Sequence, residues 1–115
     1  MKIKRKHLGG VKCLKLDEQK VITGSDDKTV KIFDVKSGQV AKTIQEEGAV
    51  SCLAFHGNLL FTSTKTSSKI TCFDLRKYEK LGEFVGHKRV IYTLSYNPKT
   101  KMLASGGFFY IYIFF

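Results

Sequence analysis

The sequence predicts an all-β repeat fold of short antiparallel strands, four to a unit, and three observations carry that prediction. The stretch GSDDKTVKIFD (Gly24 to Asp34) returns in degraded form as STKTSSKITCFD (Ser63 to Asp74). Each copy follows an apolar run headed Val-x-Cys-Leu, at Val11 to Leu14 and at Val50 to Leu53. Phe33 and Phe73 lie 40 residues apart, a period at which one unit cannot bury its own apolar face and must stack on its neighbours.

Each element follows from local pattern. Val11, Cys13, Val50 and Cys52 alternate with polar neighbours, as half-buried strands do, and Ile91 with Leu94 opens a third, shortened copy. A second strand is expected at Lys20 to Thr23, Leu59 to Ser63 and Met102 to Ser105. A third is expected at Thr29 to Phe33 and Lys69 to Phe73, and an outer fourth at Val40 to Ile44 and Lys80 to Phe84. Turn residues separate them: Asp17-Glu18, Ser25 to Lys28, His56-Gly57-Asn58, Ser67-Ser68 and Asn97-Pro98. Four short strands every 40 or so residues is the arithmetic of a propeller blade. The expected units are residues 1–44, 45–84 and 85–115.

With His7, the Val-x-Cys-Leu run and VITGSDDKTVKIFD in view, the chain resembles three WD repeats of a β-propeller over roughly residues 1–107. In that family a His, a strand Ser or Thr, a turn Asp and a Trp form a hydrogen-bonded tetrad within a blade. The resemblance puts His7, Thr23, Asp27 and Phe33 in those places in unit one, with Phe33 lacking the indole donor. In unit two Glu46, Ser67 and Phe73 replace His, Asp and Trp, and Ser63 alone conforms. Unit three keeps His87 and Ser105 and puts Phe109 at the Asp place. The implied role of these residues is structural. The same resemblance makes Asp26 and Thr66, just before the turn positions, and Gly9, Gly48 and Arg89, two after the His positions, candidates for partner binding.

Length limits what the chain can form alone. Propellers use about four to eight blades, so a closed ring needs roughly 160 residues. Three units in 115 residues make an open arc with exposed sheet faces, pointing to a fragment of something longer or to self-association. The run from Phe108 to Phe115 is wholly apolar or aromatic, too short to span a bilayer and aggregation-prone if uncovered. Two readings stand open for it. It is either translated intron or a frameshift replacing the true third strand, or a buried strand of unit three that ends with Phe115 at the Trp place.

Charge and cysteines narrow the function classes. The net charge is +10, from 20 Lys and Arg against 10 Asp and Glu, spread along the units apart from a cluster at Lys2, Lys4, Arg5 and Lys6. Such a surface favours acidic partners or RNA, but aromatics do not interleave with Arg on one face, so nucleic acid is weakly supported. The basic start reads as a nuclear-targeting run or an outer strand. Cys13, Cys52 and Cys72 form no CxxC pair and lie away from His7, His56 and His87 at metal-ligand spacing, so small buried residues and a reducing compartment are expected. The charged residues after the start argue against a signal peptide, and an intracellular protein without membrane contact is expected.

Catalysis has little to stand on. Asp26-Asp27 and Glu46-Glu47 are sequence neighbours whose side chains point apart, unlike a converging acid and base. No Ser sits in a nucleophile elbow, and Gly9-Gly10 and Gly106-Gly107 lack a phosphate-loop pattern. The expectation is a non-catalytic protein-interaction scaffold without cofactor or metal, acting on protein or peptide partners in a larger complex. Alternatives are a fragment of the substrate-recognition propeller of a ubiquitin ligase or kinase, suggested by strings similar to F-box adaptors, and an RNA-associated assembly factor.

Overall fold

The computed structural model describes residues 6–107 and 110–114, so the Lys2, Lys4 and Arg5 cluster and Phe109 lie outside the described residues. Among the described residues eleven strands form three antiparallel sheets. The first is β1 (Val11–Leu16), β2 (Lys20–Ser25), β3 (Thr29–Asp34) and β4 (Val40–Gln45), hydrogen-bonded in chain order. The second repeats it with β5 (Val50–His56), β6 (Leu59–Thr64), β7 (Lys69–Asp74) and β8 (Glu79–Val85). The third holds β9 (Thr93–Asn97), β10 (Met102–Gly106) and β11 (Ile111–Phe114). The all-β propeller-blade architecture expected from the repeat is the one observed.

The repeat extends to irregularities. Register shifts fall between Val11 and Cys13 and again between Val50 and Cys52, and later at Ile32/Phe33 and Cys72/Phe73. A shift recurring at one place in successive sheets is a feature of the unit. Tight reversals use positive φ where the turn demands it, at Lys28 (φ 71) after Asp27 and at Gly57 (φ 59) between β5 and β6.

Stacking of the sheets makes two cores. Ile22, Val30 and Ile32 of blade one meet Val50, Leu53, Leu60 and Leu75 of blade two. Cys52, Phe61, Ile70 and Cys72 on the other face of blade two meet Ile91, Leu94 and Leu103 of blade three. An aromatic chain reinforces the second core, with ring centroids 5.1 Å apart for Phe61 and Tyr96 and 4.9 Å for Phe84 and Phe114. Among the described residues no helix is long and apolar enough to cross a membrane.

Three details depart from the sequence reading. Ile91 is fully buried but precedes β9, which begins at Thr93. Within the 108–115 run, Ile111–Phe114 pairs along β10 as a third strand, in keeping with the second of the two readings. That strand is not uniformly buried: Ile111 and Ile113 are exposed on its far face. The Trp place falls on Phe114, opposite Leu103, as Phe33 stands opposite Val21 and Phe73 opposite Leu60. Phe115 lies outside the described residues.

Candidate functional site

One end of the arc is formed by the turns after β2 and β6 together with the segments leading into β1, β5 and β9. A hydrogen-bonded frame lies just beneath it in blade one. His7 Nδ1 donates to Asp27 Oδ2 at 2.9 Å, and Nε2 meets Thr23 Oγ1 at 2.5 Å. Leu8 N–H donates to the same carboxylate at 3.0 Å, and the Thr29 hydroxyl and N–H donate to Oδ1 at 2.6 and 2.9 Å. Burial pushes the Asp27 carboxyl up, but these donors outweigh it and hold it well below the usual carboxylate range. Phe33 is buried and offers no polar atom to the frame.

The other blades keep parts of this frame. In blade three His87 Nε2 lies 2.6 Å from Ser105 Oγ, and the Tyr112 ring stands edge-on to the imidazole at 4.3 Å. Burial holds the His87 ring below its ordinary 6.5, against an opposing hydrogen bond at Ser105. In blade two the residue that meets the substitute for His is Thr62: its hydroxyl donates to Glu46 Oε1 at 3.0 Å. Thr62 lies opposite Leu53, as Thr23 lies opposite Leu14 and Ser105 opposite Leu94. Ser63 instead donates to the Lys69 carbonyl at 3.1 Å. The 39-residue step from Leu14 to Leu53 also leads from Thr23 to Thr62 and was the signal that could have located it. Ser67 does take the turn place, accepting from Lys69 N–H at 3.1 Å as Asp27 accepts from Thr29.

The five loop positions converge on the same end. Gly9 packs on the Asp26–Asp27 backbone so closely that a Cβ would sit 3.0 Å from Asp27 N. Asp26 links to Lys12 at 3.3 Å and across to Lys65 of blade two at 3.2 Å. Slight burial opposes its ionisation, but the two ammonium groups prevail and hold it low. Gly48 lies directly under Thr66, leaving no room for a Cβ. Thr66 and Arg89 share the wall of a cleft of about 450 Å³ between blades two and three, together with Lys65, Lys88 and Tyr92, which the sequence reading did not single out.

Other candidate chemistry is quiet. Burial pushes the Cys13 thiol up to about 11 and the Cys52 thiol to about 12, so neither is a ready nucleophile. Among the described residues no cluster of three or more His, Cys, Asp or Glu could hold a metal.

A family profile described as WD domain, G-beta repeat matches residues 2–34 and 78–108, more than half of the chain. The chain belongs to the WD40 family. The profile passes over most of blade two, where Glu46 and Ser67 replace the His and Asp. Among curated proteins the chain is 30% identical, over 88% of its length and 28% of the relative's, to a p21-activated protein kinase-interacting protein 1-like protein of Xenopus laevis. It is also 30% identical, over 74% of its length and 10% of the relative's, to a ribosome biogenesis protein BOP1 homolog of Drosophila ananassae. Among solved structures it matches U3-55K with a TM-score of 0.81 at 21% identity, covering 88% of this chain and 34% of that one. The chain spans about a third or less of the length of these proteins.

Proposed function

We propose that this WD40 chain is a non-catalytic, intracellular protein-interaction scaffold whose working surface is the loop end carrying Gly9, Asp26, Gly48, Thr66 and Arg89. The observation that carries the reading is a division of labour. The frame residues His7, Thr23 and Asp27 bond one another inward and pin the blade-one turn, while Gly9, Thr66 and Arg89 are exposed at the same end, Asp26 is half-buried there and Gly48 is buried beneath Thr66. A rigid base with exposed, chemically varied loops is what recognition of a protein surface requires. A relative named for its interaction with a protein kinase supports partners of that kind. The test is affinity capture from cells with Asp26→Lys plus Arg89→Glu, beside a control with Lys36→Glu plus Lys77→Glu in turns at the opposite end. Partners lost only with the first pair support the reading; partners indifferent to both pairs overturn it.

A second reading, an RNA-associated assembly factor, draws on the net charge of +10 and on the relative named for ribosome biogenesis. Retention on RNA that falls steeply with salt would favour it over the first.

A further inference from the structure

Blade two holds a cavity of about 180 Å³ where blade one carries its hydrogen-bonded frame. Glu46, Ser67 and Phe73, at the His, Asp and Trp places, all line it, together with Gln45, Thr64 and Thr71. In blade one the His7 imidazole fills the corresponding place as a donor, bonding Asp27 at 2.9 Å. Blade two has a carboxylate and a hydroxyl in these places and no ring nitrogen between them. Thr62 donates to Glu46 Oε1 at 3.0 Å, and among the described residues no other donor bonds this carboxylate. Burial pushes the Glu46 carboxyl up, against the Thr62 hydroxyl and the nearby lysines, which is the mark of a carboxylate short of donors. The two lysines on the cavity wall, Lys69 and Lys80, are instead paired with Glu83 at 2.7 and 3.0 Å.

We infer that this cavity is a socket for the guanidinium group of an arginine side chain on a protein partner, its N–H fork pairing with the Glu46 carboxylate and its plane lying against the Phe73 ring. The Glu46 and Glu47 carboxylates on the wall disfavour an anion and call for a cation. A planar fork of N–H donors bonds a carboxylate and a neighbouring hydroxyl oxygen together, whereas an ammonium is a compact point charge. Phe73 adds an aromatic face, against which a guanidinium stacks better than an ammonium. A charge-assisted bond gains strength where water is thinned, as it is around half-buried Glu46. Glu46 and Glu47 belong to the segment leading into β5, and Ser67 to the turn after β6, so the socket opens within the loop end. The inference rests on that end meeting a protein partner and names the side chain the partner inserts.

The experiment is fluorescence anisotropy on the 115-residue chain with labelled peptide pools that differ only in a central arginine, lysine or citrulline flanked by random residues. The arginine pool is expected to bind about ten-fold tighter than either of the others. Glu46→Gln, which keeps an acceptor for Thr62, is expected to abolish that preference. Glu46→His plus Ser67→Asp is expected to abolish it as well, by filling the cavity with a frame of its own. Glu18→Gln removes the same charge from the exposed β1–β2 turn and is expected to leave the preference intact. Circular dichroism checks that the variants stay folded. An arginine preference that survives Glu46→Gln, or that falls equally with Glu18→Gln, overturns the socket. Equal binding of the three pools overturns the socket while leaving the interaction face standing. No binding of any pool overturns the socket and removes support from that face. Binding of N-acetyl-argininamide without a preference among the pools overturns the partner's arginine in favour of a free guanidine.

Discussion

At Asp27 a carboxylate stays ionised although it is largely withdrawn from water, because four donors converge on it: the His7 ring, the Thr29 hydroxyl, and the N–H groups of Leu8 and Thr29. Replacing it by alanine strands those donors, and a loss of about 1–3 kcal/mol is expected. Thermal unfolding of Asp27→Ala at the parent's midpoint would falsify that role. The pH dependence has a definite sign. The folded-state value lies below the ordinary 3.8, so this contribution is complete above 3.8 and drains away as acid is added below it. His87 acts in a different window. Its folded value is below 6.5, so the unfolded chain takes up a proton first, and stability falls as pH drops from 6.5. Urea midpoints at pH 7 and pH 5 should differ in the parent and differ less in His87→Gln; an equal difference in both would assign the slope elsewhere.

Between elements, closeness of approach decides most. A Cβ added at Gly24 in β2 would lie 2.5 Å from Val50 Cγ1 and 2.6 Å from Cys13 Sγ, so blade one seats on blade two only with glycine there. Gly24→Ala should cost about 1–3 kcal/mol through overpacking, readable as a lower denaturant midpoint; a neutral result would mean that the strands part more easily than their packing implies. Blade two offers the opposite case, a place to gain. Burial pushes the Glu46 carboxyl up, aided by Glu47 and resisted by the Thr62 hydroxyl and nearby lysines. Its contribution is therefore present below 4.5 and lost as pH rises through the raised value. Glu46→His with Ser67→Asp rebuilds the blade-one frame and should add about 1 kcal/mol at pH 7. A double variant no more stable than the parent would mean that blade two has repacked around its own substitutions.

Across the whole arc, the repeat explains both what is buried and what is left open. Val50 and Leu53 are 0% and 1% exposed against blade one, whereas their counterparts Val11 and Leu14 on the far face of blade one are 53% and 49% exposed. At the other end Ile70 is fully buried, but its counterpart Ile111 is 79% exposed. The arc thus ends in two apolar faces of the kinds that mate inside it, and free sheet faces of that kind associate. Light scattering at micromolar concentration should find the 115-residue chain self-associated, with Leu14→Lys plus Leu16→Lys lowering its mass toward the monomer value. A parent already monomeric, or a variant of unchanged mass, would show that these faces do not mate in solution.

What the sequence alone determined was the unit. Strand boundaries, turn positions and the stacked architecture follow from period-2 alternation and from turn residues recurring at 39 to 41 residues, because both are local consequences of chain chemistry. The frame around Asp27 was legible for the same reason: blade one keeps the spacing intact. Where the spacing decays, register had to decide. Thr62 rather than Ser63 meets Glu46, and Phe114 rather than Phe115 holds the Trp place, because a shift of one residue turns a strand side chain to the opposite face. The cleft lay furthest out of reach. Lys65 and Lys88 are 23 residues apart in sequence and share a wall-to-wall site only because blade three packs on blade two. No local pattern encodes that meeting; the stacking of two apolar sheet faces does.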